Sequence, residues 1–284
     1  MSVNNSIRPA EHGDGWNDNR LKAFNISIST LTPGAFFPLP PPSLNDIDPG
    51  YFSPLDDVRS PLGDHRAPPS TGISPQATIF LLRLNSATPA GATRTGCVAD
   101  FARDILRLLD FEQHSFIVST RRTMPLIVCG KRKPVRTDLC LIHPSSDLIL
   151  LVLATDNPFT KRADAEARVI AGAVAAFQMN NKARADRDLD PLDTMTIPCI
   201  TMVNTRPTFY LVPVTAALSE AVTLGQRPAT QTEVLRFPTL GWLPQAGIDV
   251  GMEDQEYRKQ ALRDFLAFKE LAKSPWAHIL QGAV

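Results

Sequence analysis

The run Leu148-Ile149-Leu150-Leu151-Val152-Leu153-Ala154 constrains what this chain can fold into more than any other segment. It is apolar at consecutive positions and far shorter than the roughly 20 residues that a membrane-spanning helix needs, so it reads as a buried strand. It ends in Thr155-Asp156. A second apolar strand, Leu139-Cys140-Leu141-Ile142-His143, lies just before it, separated by the turn Pro144-Ser145-Ser146-Asp147 and entered from Arg136-Thr137-Asp138. The two strands are neighbours, so an aspartate at the start of one faces groups at the end of the other.

The segments around this pair supply the rest of a domain. Ala77 to Leu84 is short and apolar, open to a strand or a first helical turn. Val98 to Phe111 carries Phe101, Ile105, Leu108 and Leu109 at helical spacing, with Arg103 and Arg107 opposite. Ser115 to Ser119 and Met124 to Cys129 read as strands broken at Arg121-Arg122, and Gly130-Lys131-Arg132-Lys133-Pro134 reads as a basic turn. A long helix follows over about Ala163 to Lys182, buried along Val169, Ala173, Ala176, Phe177 and Asn180; Ala171, Gly172 and Ala175 let it lie close to a sheet. Ile197 to Val203 and Thr208 to Val214 flank the turn residues Asn204-Thr205-Arg206-Pro207, a hairpin pattern. Ala216 to Leu224 reads as a short helix. Glu253 to Ala272 reads as a strong one that Pro275 follows. This order predicts a mixed α/β (α+β) domain, a central mixed sheet flanked by helices.

Composition divides the chain in two. Residues 1–75 hold 12 of the 25 prolines, including Pro38-Leu39-Pro40-Pro41-Pro42, and are rich in small polar residues. That composition predicts a disordered tail with polyproline II character, a ligand for a protein partner if it has one. Phe36, Phe37, Tyr51 and Phe52 are its candidate anchors. A single α/β domain is expected over residues 76–284. Net charge is zero, yet residues 115–187 carry 12 Lys and Arg against 6 Asp and Glu. This basic block suits a polyanion, while the neutral total disfavours a dedicated high-affinity nucleic-acid binder. Cys97, Cys129, Cys140 and Cys199 form no C-x-x-C pair, which argues against structural zinc. With no signal-peptide pattern and no spanning run, the expectation is a soluble intracellular protein, cytoplasmic or nuclear.

Several strings carry a resemblance: Arg168-Val169-Ile170-Ala171, Ala175 to Asn181, Asp193 to Met202, and Thr205 to Thr215. They look like a large uncharacterised family from mushroom-forming fungi. The element order from Val98 to Val214 resembles the restriction-endonuclease-like, PD-(D/E)xK core. The resemblance covers about residues 95–280. It implies that Asp138 matches the metal-holding aspartate of the nuclease motif. The family's second strand typically ends Gln-Glu-Asp-Lys, and here Leu153, Ala154, Thr155 and Asp156 stand at those positions. Ala154 thus replaces the glutamate and Asp156 the lysine, and Gly172 stands where similar sequences often carry a glutamate.

These replacements matter chemically. Phosphodiester cleavage uses Mg²⁺ to neutralise the scissile phosphate and acidify water, and Mg²⁺ takes oxygen ligands in near-octahedral array. The cation beside it stabilises developing charge, a contribution on the order of 10²–10³ in rate. Ala154 removes one ligand and Asp156 inverts one charge. The expectation is a catalytically inactive, degenerate nuclease-like domain that serves as a binding or scaffold module, with no cofactor. Two alternatives stand beside it: a Mg²⁺ nuclease with a rearranged Asp138/Asp156 site, and a non-specific nucleic-acid binder. The candidate metal ligands are Asp138 and Asp156; candidate nucleic-acid contacts are Lys131, Arg132, Lys133, Arg136, Lys161 and Arg162. Each has a bland counterpart: Asp138 as a strand cap bonding turn amides, the six cations as a solvated surface. His143, Gln178 and Asn181 read as structural. No nucleophile elbow, phosphate-binding loop, dinucleotide fingerprint or H-E-x-x-H is present.

Overall fold

A computed structural model of the chain describes residues 15–40, 42–58, 72–88, 96–113, 115–156, 161–239 and 250–283. Its helices are α1 (Asp18–Ala23), α2 (Pro33–Phe36), α3 (Pro75–Ala87), α4 (Cys97–Leu108), α5 (Arg162–Ala185), α6 (Ala216–Leu224) and α7 (Gln255–Leu280). Its strands are β1 (Ile26–Thr30), β2 (Ile117–Thr120), β3 (Thr123–Val128), β4 (Lys131–Arg136), β5 (Leu139–His143), β6 (Leu148–Asp156), β7 (Thr194–Val203), β8 (Arg206–Thr215) and β9 (Thr232–Pro238). Seven strands form one mixed sheet in the order β1-β9-β8-β7-β6-β5-β2, and β3 and β4 form a separate hairpin. The β2–β5 and β5–β6 pairs are antiparallel, and α5 crosses over so that β6 and β7 run parallel. Mixed α/β architecture, with a large central sheet flanked by helices, is therefore what the chain adopts.

Alternation along the strands separates the two faces. Tyr210 of β8 turns its hydroxyl to Glu166 of α5. Its neighbour Phe209 instead meets Phe265 edge-on and Phe268 at a tilt, both on α7, each with ring centroids 5.0 Å away. Helix α5 thus covers one face and α7 the other. Helix α5 is buried nearly all round because the β3–β4 hairpin, α1 and α6 pack against it away from the sheet. Its small residues follow from that confinement: a Cβ on Gly172 would lie 2.9 Å from Val152 Cγ1.

Three consecutive carboxamide clasps fix α5 in place. Gln178 receives the N–H of Ile127 at 2.8 Å and donates to its carbonyl at 3.2 Å. Asn180 does the same to Ile149 (2.7 and 2.9 Å), and Asn181 to Leu192 (2.9 and 3.0 Å). The Ile149 clasp sits where the β5–β6 register shifts and before the β6–β7 ladder begins at Val152. Trp276 of α7 meets the next carbonyl, Leu150 O, at 2.8 Å. Backbone groups without a strand partner are therefore satisfied from both faces, as buried amides must be.

The expected tail of residues 1–75 needs correction. Its described part supplies β1, which pairs in parallel with β9 from Ile26↔Thr232 to Thr30↔Arg236. Trp16, Leu21, Phe24, Phe36 and Phe37 are core residues, and Phe37 meets Phe237 edge-on at 5.0 Å. The prolines are compatible with this because Pro33 and Pro49 open short helical turns, where no N–H is needed. Arg258, fully buried on α7, donates to the carbonyls of Tyr51 and Ser53 (2.9 Å each), Met252 (2.7 Å) and Glu253 (3.2 Å). The tail expectation for 1–14, 41 and 59–71 lies outside the described residues.

Other expectations shift more locally. Ala77–Leu84 belongs to helix α3, started by the Ser74 side chain on Ala77 N. The basic turn is strand β4 after its first residue, paired with β3 along Lys131–Arg136. Strand β9 was not anticipated. Helix α7 runs through Pro275 instead of ending before it; Trp276 on Leu150 O and Arg184 on Gln281 O (2.7 Å) hold its last turns. Among the described residues no helix is long and apolar enough to cross a membrane.

Candidate functional site

Strand pairing decides where the expected site residues go. Leu139 pairs with Leu153, so Asp138 enters β5 opposite Ala154, at the end of the sheet where β6 finishes in Thr155-Asp156. Asp138 and Asp156 thus share one end of one strand pair. Their carboxylates, however, are directed to different partners. Asp138 Oδ2 accepts the N–H of Thr155 at 2.6 Å, fastening the end of β6 to the start of β5. This is a strand-end cap, made to an amide of the neighbouring strand instead of a turn. Asp156 is buried and ion-paired with Arg168 of α5, which also donates to Thr155 O at 3.3 Å.

A second polar chain lies on the same face. Glu166, one turn into α5 and 6% exposed, accepts at its Oε1 from Arg162 Nε (3.0 Å), Arg236 Nη1 (2.6 Å) and the Tyr210 hydroxyl (3.2 Å). Tyr210 OH also lies 3.2 Å from Thr201 Oγ1, and Arg236 Nε donates to Thr30 Oγ1 at 3.0 Å. Burial, with the Glu166 carboxylate beside it, pushes the Tyr210 phenol well above its ordinary range. Three guanidinium groups therefore neutralise two buried carboxylates at this end of the sheet.

The sequence pointed to Asp138, Asp156 and Arg162 here and missed Glu166, Arg168, Arg236, Tyr210 and Thr201. Only the i, i+4 spacing of Arg162 and Glu166 was a local signal; the other partners come from strands that meet α5 only in the fold. Of the remaining candidates, Lys131, Arg132 and Arg136 are exposed on β4, Lys133 is half-buried there, and Lys161 is exposed at the start of α5. The six cations form two separate groups. His143 is buried at the far end of β5, its Nδ1 2.7 Å from Ser146 Oγ, a structural contact.

The donor set at the Asp138 end does not suit Mg²⁺. One carboxylate is bonded to a backbone amide, one is held by a guanidinium, Ala154 between them has no donor, and the described residues contain no group of three His, Cys, Asp or Glu placed to hold a metal. Among the described residues no nucleophile–base pair is present at this end either: Cys140, on the same strand pair, is buried and its thiol is pushed up to about 11 by loss of solvent. A cleft of about 580 Å³ elsewhere, lined by Leu218, Leu224, Arg227 and Thr232 between α6 and β9, gathers none of these groups. No family model matches the sequence, and no curated protein matches it.

Proposed function

We propose that this chain is a catalytically silent nuclease-like domain that acts as a binding or scaffold module without a cofactor. Supporting the reading, the elements over Val98–Val214 run α4, β2, β3, β4, β5, β6, α5, β7, β8, with β3 and β4 paired apart from the main sheet. One observation carries the reading. At the strand ends where a metal nuclease needs free acids and an ammonium, Asp138 is bonded to Thr155 N, Asp156 to Arg168, and Ala154 stands between. Gly172 adds to it: a Cβ there would crowd Val152 Cγ1 at 2.9 Å, which disfavours the glutamate that similar sequences often carry.

The test is incubation of the purified chain with single- and double-stranded DNA and RNA in Mg²⁺ or Mn²⁺. No cleavage is expected. Turnover that Asp138→Ala abolishes would overturn the reading in favour of a rearranged Asp138/Asp156 nuclease. Such a nuclease would also show a divalent-ion-dependent rise in melting temperature.

A second reading, nucleic-acid binding without sequence preference, is favoured by one feature. Lys131, Arg132 and Arg136 stand exposed on β4 with no carboxylate within ion-pair distance among the described residues. Arg132 and Arg136 share a face of the hairpin with exposed Ile127 and Thr123. Binding of this kind weakens steeply with salt. Undetectable binding to a fluorescent oligonucleotide at low ionic strength would remove it.

A further inference from the structure

On the α7 face, near the end of β9, lies a buried polar group that the site above does not use. Asp264 is 3% exposed, and Tyr257 and Thr239 are 0% exposed. Asp264 Oδ1 accepts from the neutral carboxamide of Gln260 at 2.8 Å. Its Oδ2, the Tyr257 hydroxyl and Thr239 Oγ1 have no hydrogen-bond partner among the described residues. Thr239 and Tyr257 both lie close enough to Asp264 for each to feel the other's charge or hydrogen bond. Arg206 and Glu253 are the further charged groups near enough to act on Tyr257; on α7 itself, Arg263 is the charged neighbour of Asp264. Among the described residues no cation makes an ion pair with Asp264.

We infer that Asp264 is a proton-binding site built into the fold, held as the neutral acid by its burial on α7 beside Tyr257 and Thr239 with no ion-pairing cation among the described residues. An ionised carboxylate here would be shut off from water with no ion-paired cation among the described residues, which burial penalises strongly. The Gln260 carboxamide and the Thr239 hydroxyl favour the charged form, but by less than burial opposes it. Burial accordingly lifts the carboxyl from near 4 to about 7.

The linkage has a definite sign. The folded chain keeps the proton over a range in which the unfolded chain has lost it, so folding takes up a proton between about pH 4 and pH 7. Across that window this group lowers the folding equilibrium constant by up to about tenfold per pH unit as pH rises. Helix α7 carries both Asp264 and the Arg258 clasp on Tyr51 and Ser53.

The test compares chemical denaturation of the full chain and of Asp264→Asn from pH 4 to pH 8. The expected result is a stability difference between the two that changes with pH across the window and levels off above it. In the same samples, isotope-edited infrared spectra of the wild-type chain report the carboxyl directly, whether or not the variant folds. A protonated-carboxyl band at pH 6 that titrates away near pH 7 and is absent from Asp264→Asn supports the inference. Its absence from the wild-type chain at pH 6, or a pH dependence of stability identical in both proteins, overturns it.

Discussion

The side chain of Asn180 bonds to both backbone groups of Ile149, taking its N–H at 2.7 Å and giving to its carbonyl at 2.9 Å. Asn180 is fully buried, so water cannot replace either bond. Each orphaned buried group costs about 1–3 kcal/mol. Asn180→Ala is expected to lower stability by about 3 kcal/mol in urea denaturation, and Asn180→Asp by at least as much, since a carboxylate cannot donate to the carbonyl. A loss below 1 kcal/mol for Asn180→Ala would mean that the strand re-pairs without the clasp.

The Asp156–Arg168 pair makes a prediction about a lysine at position 156. Asp156 is buried beside a guanidinium, so Asp156→Lys places two cations together where one acid was. The variant is expected to lose about 3 kcal/mol or more, in line with buried charges deprived of their partner. Arg168→Met should cost about 2 kcal/mol, less because Arg168 is partly exposed. Combining Arg168→Met with Asp156→Leu should recover much of that loss; a double-mutant cycle read by thermal denaturation checks the coupling.

Gly172→Ala sets two effects against each other. Alanine gains about 1 kcal/mol of helix propensity over glycine. The new Cβ would meet Val152 Cγ1 at 2.9 Å, on a short β-branched side chain with little freedom to yield. Overpacking of this kind costs about 1–3 kcal/mol, so a net loss is expected. The double variant Gly172→Ala with Val152→Ala should then be more stable than the sum of the single changes predicts.

Arg258 gathers four backbone carbonyls, two of them from the segment that contains Tyr51 and Ser53. Arg258→Met keeps much of the side-chain length and removes every donor. The expectation is a stability loss of about 2–4 kcal/mol, from several charge-assisted bonds less the relief of burying a charge. Limited proteolysis should then cut first near residues 49–58. Unchanged protection there would show that ring contacts such as Tyr51 on Phe80, at 5.1 Å, suffice.

Much of the fold was legible because it rests on short-range pattern. The strand pair around Pro144–Asp147, the β7–β8 hairpin and the helices α4, α5 and α7 each announce themselves through apolar spacing and turn residues within about 20 positions. The tail was misread because composition averages over many prolines and polar residues. A few aromatic side chains decide burial, and Phe36 stacks on Phe237 from the other end of the chain. Gln178, Asn180 and Asn181 stood out as a string, but their spacing carries no trace of the strands they clasp.

Residue identity alone settled that β6 ends in Ala154, Thr155 and Asp156, with neither glutamate nor lysine among them, whatever the fold. Only the tertiary structure decided what the remaining groups do. Asp138 and Thr155 are 17 positions apart, Glu166 and Arg236 are 70, and Thr30 and Arg236 are 206. Spacing within a segment is a local property, whereas a buried charge takes whichever partner the sheet brings beside it.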